Sequence, residues 1–115
     1  MTRMDDLVQF LRARLDEDTR LALQARDPWF GYEPDQHLER VKQADALFIA
    51  CYSPNRVLAE VDVKRKILKR YAELSGEGWA PSAPRTVRLQ ELRDTVRLLA
   101  LPYADHPDYR DTWRP

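Results

Sequence analysis

The chain has one cysteine, three glycines, no excess of either charge and no long apolar run. A lone cysteine, Cys51, excludes an internal disulfide and fits a reducing compartment. Gly31, Gly76 and Gly78 lack the spacing of a phosphate-cradling loop. The serines are Ser53, Ser75 and Ser82, and none stands in a G-x-S-x-G elbow. The histidines, His37 and His106, fall in separate segments, and neither an H-E-x-x-H phrase nor a cysteine pair supplies metal-ligand spacing. No stretch approaches the ~20 apolar residues of a membrane span. The opening MTRMDDLVQF lacks the apolar run of a signal peptide. A net charge of zero, from 19 basic and 19 acidic residues, argues against strong non-specific nucleic-acid binding. The expectation is a cytoplasmic protein with no membrane, cofactor or metal requirement.

What the chain does have is helix formers, over 115 residues, enough for a single domain with its own core. Ser53 to Leu74 is the strongest stretch: Ser53 as N-cap, Pro54 at the first helical position, and Ser75-Gly76 as the stop. Val57, Val61, Leu68, Tyr71 and Ala72 form one apolar stripe, and Val63, Ile67 and Leu74 a second beside it. Asp62, Lys66, Lys69, Arg70 and Glu73 share the remaining arc. So wide an apolar arc predicts a central helix with neighbours on more than one side. A helix from Asp5 to about Arg26 precedes it, with Leu7, Val8, Phe10, Leu11, Leu15, Leu21 and Ala22 on one face. Asp27-Pro28 is read as its end. Another helix starts after Asp35, although Ala46 to Cys51 is also short and apolar enough for a buried strand. Gly76 to Thr86 reads as a linker, and Thr86 as the cap of a helix reaching Leu101, with Leu89, Leu92, Val96, Leu99 and Ala100 inward. The expected fold is all-α, a four-helix bundle-like single domain over 1–115. Its C-terminal tail would dock through Tyr103, Tyr109 and Trp113, with a single turn begun at Asp105.

Four groups of residues invite a functional reading. Asp105, His106 and Asp108 place carboxylates beside an imidazole, as proton transfer or a metal would need, or as a structural turn would. Arg14 and Asp18 interrupt the apolar face of the first helix four residues apart. With Glu60, Lys64 and Arg65 of the central helix they suggest an interhelical ionic network. Trp29, Phe30, Tyr32 and Trp79 fall on expected loops, either as hydrophobic plugs or as contacts for a partner. Lys66, Lys69 and Arg70 give the central helix a basic run, read as phosphate contacts or as a solvated face partly neutralised by Asp62 and Glu73.

Three phrases, MDDLVQFLRARLDED, PNRVLAEVDVKRKIL and LLALPYADHPDYRDTWRP, resemble a family of short actinobacterial proteins also met in their phages, with no assigned function. Arg14, Asp18, Glu60, Lys64, Arg65, Asp105, His106 and Asp108 match its pattern. Relatives carry H-I-A-R-H-D-P before the central helix, where this chain has Phe48, Tyr52 and Ser53 at the two histidines and the aspartate. A role resting on those histidines is therefore not expected here. The sequence favours a binding or regulatory protein whose partner is another protein. Nucleic-acid association through Lys66, Lys69 and Arg70 is the alternative, and a metal or enzyme site at His106 the third reading.

Overall fold

A computed structural model describes residues 3–30, 52–76 and 83–115. The described residues are helical, without strands: α1 (Arg3–Phe30), α2 (Pro54–Ser75), α3 (Ala83–Ala100), then 3-10 turns at Leu101–Tyr103 and Asp111–Trp113. Ala46 to Cys51, Tyr32 and Trp79 lie outside them.

α1 starts at Arg3, so Asp5 and Asp6 occupy its first turn, where negative charge suits the helix dipole, and Asp5 is not the cap. It also runs through Pro28 to Phe30. A proline near a helix C-terminus forfeits a single backbone bond, which the preceding turns outweigh. Trp29 and Phe30 are thus helical residues and not part of a loop. In α2, Ser53 Oγ accepts the Arg56 backbone N–H at 3.4 Å, and the Ser53 carbonyl accepts that of Val57 at 3.1 Å. At the other end Arg85 NH2 donates to the carbonyls of Leu74 (2.7 Å) and Gly76 (3.4 Å), so a guanidinium from α3 satisfies orphan acceptors of α2. α3 begins at Ala83, which puts Thr86 inside its first turn. Pro102 follows within the 3-10 turn that ends the helix.

The chain divides into two compact units, Met1–Leu15 with Val63–Pro115, and Asp16–Asp62. In the first, α1 buries Met4, Leu7, Val8, Phe10, Leu11 and Leu15, α2 buries Leu68 and Tyr71, and α3 buries Val96 and Ala100. Trp113 joins them at 4 % exposure. Each large side chain removed from water contributes about 1.5–3 kcal/mol, so this periodic set carries the unit. In the second unit, Ala22 and Val61 are buried, whereas Leu21, expected inward, is half exposed. The second stripe of α2 is also less covered than its pattern implied, with Val63 exposed and Ile67 and Leu74 half-buried.

Candidate functional site

The densest polar and aromatic cluster forms where the C-terminal residues meet α1, within the first unit. Phe10 lies at its centre. The rings of His106, Tyr109 and Trp113 stand around it at centroid separations of 5.5, 5.9 and 5.1 Å. The first two meet it edge-on, the arrangement that ring quadrupoles favour. Tyr109 and Trp113 touch each other edge-to-face at 5.5 Å. Arg110 NH1 donates to Asp6 Oδ2 at 3.0 Å, a second tie between tail and helix, though an exposed one.

Arg14 supplies the polar half of the cluster. Its NH1 lies 2.5 Å from His106 Nε2, and its guanidinium carbon 5.7 Å from the Phe10 ring centre. At the other ring nitrogen, Nδ1 receives the backbone N–H of Asp108 at 3.1 Å, with Asp108 Oδ2 at 3.9 Å. A neutral imidazole accepts at one nitrogen only. The guanidinium and the backbone N–H are both donors, so a neutral His106 accepts from one of them at a time, Arg14 at Nε2 or Asp108 at Nδ1. His106 is therefore a fastener between helix and tail. Each ring nitrogen faces an N–H donor, so neither is turned toward open space as a general base or a metal ligand would need.

Of the three tail residues singled out in the sequence, the structure unites His106 and Asp108. Asp105 is exposed, and the local turns run through backbone bonds from Ala104 to Leu101, His106 to Tyr103 and Tyr109 to His106. The turn expected to begin at Asp105 begins one residue later, at His106, while Asp105 lies in the turn closed by the His106 N–H on the Tyr103 carbonyl. Among the described residues no three His, Cys, Asp or Glu side chains group closely enough to hold a metal ion.

Three residues of the expected ionic network meet other groups. Arg14 takes His106, Glu60 takes Arg56 at 3.1 Å, and the Lys64 ammonium sits 5.5 Å from the Tyr103 ring centre. Asp18 and Arg65 are half-buried. The anomaly on the α1 face was legible at Arg14. Its partner was not, because His106 is distant in sequence and no spacing rule connects them. Lys66, Lys69 and Arg70 are all exposed on α2. Farther along α1, the Glu17 carboxylate raises the pKa of the Arg20 guanidinium, by hydrogen bond first and charge second.

A second feature belongs to the Asp16–Asp62 unit. Asp18, Leu21, Ala22 and Ala25 of α1, with Tyr52, Pro54 and Val57, line an apolar cleft of about 310 Å³. Leu21 is 50 % and Tyr52 51 % exposed, both on its rim.

The described residues are helical, with an aromatic and arginine-histidine fastener in the first unit and an aliphatic cleft in the second. The chain belongs to the family of unknown function DUF6221, which it matches over residues 4–115. Neither the curated proteins nor the solved structures yield a match. Among the described residues no helix is long and apolar enough to cross a membrane.

Proposed function

We propose that this protein works by binding another protein through the aliphatic cleft of its Asp16–Asp62 unit, in an actinobacterial or phage cytoplasm. One observation carries the reading: Leu21 and Tyr52, large and apolar, are left half exposed around a cleft whose other lining residues are Asp18, Ala22, Ala25, Pro54 and Val57. Half-exposed large side chains around a concave apolar surface are how anchor pockets are built. Asp18 and Tyr52 are the ionisable side chains of that lining, beside five aliphatic residues, so recognition and not chemistry is the use that fits. Trp29, Phe30, Tyr32 and Trp79 are proposed as further contacts, as large aromatics of the kind that anchor protein interfaces. The proposed architecture is a four-helix bundle-like domain closed by its C-terminal aromatics. Capture on the immobilised full chain, from a lysate of an actinobacterial host, tests the function. A protein retained by the native chain and lost with Leu21→Glu supports it. Retention that Leu21→Glu leaves unchanged, or no retained protein, contradicts it.

Exposure of Lys66, Lys69 and Arg70 on one helix favours a second reading, contact with nucleic-acid phosphates. Retention on immobilised duplex DNA should then fall steeply with salt and with neutralisation of the three. An enzyme or metal role for His106 has the weaker footing, because both ring nitrogens already face donors, Arg14 at Nε2 and the Asp108 N–H at Nδ1.

A further inference from the structure

We infer that the groove between α2 and α3 is a self-association surface, filled by the same surface of a second copy of the chain. The groove lies wholly within the first unit. Arg70, Glu73 and Leu74 of α2 face Arg88, Glu91, Leu92 and Thr95 of α3 across a volume of about 520 Å³. Its own charges do not pair across it: among the described residues no ion pair or hydrogen bond engages the side chains of Arg70, Glu73, Arg88 or Glu91. Its apolar edge continues in both walls. Val63 lies seven residues before Arg70, and Leu98 seven after Glu91, each two turns along the same helix stripe. Both are large apolar residues left open to water, at 55 % and 56 % exposure. Val63 belongs to the second apolar stripe of α2, whose other members, Ile67 and Leu74, are half-buried.

The charge order says what covers it. Arg85 donating to Leu74 brings the start of α3 to the end of α2, and the groove lining then carries Arg88 and Glu91 back along α2 toward Arg70. Along the groove, Glu73 is thus matched in height by Arg88, and Arg70 by Glu91. A two-fold axis parallel to the helices lays α2 of one copy on α3 of the other while preserving heights. Arg70 then meets Glu91, Glu73 meets Arg88, and Val63 meets Leu98, each twice by symmetry. A surface complementary to itself at every level is what a two-fold contact requires, because one patch must serve both sides. A foreign partner has no such requirement. The contact covers a few turns of two helices, so a weak, concentration-dependent dimer is expected.

Sedimentation velocity of the full chain, from ~10 µM to ~1 mM, reads this directly. The native chain should shift from monomer toward dimer with concentration. Val63→Glu combined with Leu98→Glu should hold it monomeric. Both sites are exposed, so circular dichroism of the variant should match the native chain. Arg70→Glu should weaken the dimer about tenfold, since it sets like charges against each other at two symmetric places. Arg70→Glu together with Glu91→Arg should restore it, because the swap rebuilds both pairs. A native chain monomeric over the whole range, a dimer indifferent to the double glutamate variant, or a charge swap that fails to recover association would each overturn the inference. The Leu21 cleft lies in the other unit, so Leu21→Glu should leave this dimer intact, and failure of one proposal is separable from failure of the other.

Discussion

Replacing Trp113 by alanine probes the closure of α1 by the C-terminal residues. Trp113 is 4 % exposed, with the Phe10 ring centre at 5.1 Å, Tyr109 at 5.5 Å and the Arg110 guanidinium at 5.4 Å. Truncating a buried tryptophan costs ~3–5 kcal/mol, through lost transfer energy and the cavity left behind. A site in a three-residue 3-10 turn can collapse more readily than one inside a long helix, so the lower figure, ~3 kcal/mol, is the expectation here. At ~4 °C per kcal/mol for a chain of this size, the thermal midpoint should fall by ~12 °C. Urea unfolding followed by circular dichroism measures the effect without relying on the fluorophore being removed. Val87→Ala, at an exposed position of α3, is the control and should stay within ~0.5 kcal/mol of the native chain. A Trp113→Ala change no larger than that control would refute the reasoning, since it would mean the ring contributes nothing by being buried.

Arg14→Ala and His106→Gln should each destabilise by ~1–2 kcal/mol, with a coupling near ~1 kcal/mol in the double variant; strictly additive losses would show that the two side chains do not act as a pair. Arg85→Ala should cost ~1 kcal/mol and raise amide exchange in the last turn of α2, because the Leu74 and Gly76 carbonyls lose their donor; unchanged exchange there would contradict the capping role. Ser53→Ala should cost ~1 kcal/mol as a lost N-cap, whereas Ser53→Asp should hold or raise stability, and equal losses from both would remove the cap argument.

Much of the helix framework could be read from periodicity. Ser53 with Pro54, and Leu7 through Leu15 at helical spacing, carry their structural meaning in a few neighbouring letters, which is why α2 and the buried face of α1 were legible. Pro28 misled, because avoidance of helix before proline is a bias that a long, well-formed helix overrides at its last turn. Thr86 misled for a related reason, since a good capping residue is also tolerated within a first turn. The fastener was half legible. An arginine on an apolar face signalled that something polar must meet it, and the aromatic tail signalled docking. That the two are one structure depends on Arg14 and His106 meeting across most of the chain, which no local rule encodes. The exposed second stripe of α2 was visible as a pattern, but a pattern shows only that a face is apolar and not which molecule covers it.

The contact between Phe10 and Trp113 is the most direct test of the account. Nuclear Overhauser spectra of the full chain should show cross-peaks between the two rings, whose centres lie 5.1 Å apart, with ring-current shifts at both. A Trp113 side chain with random-coil shifts and no cross-peak to Phe10 would contradict it.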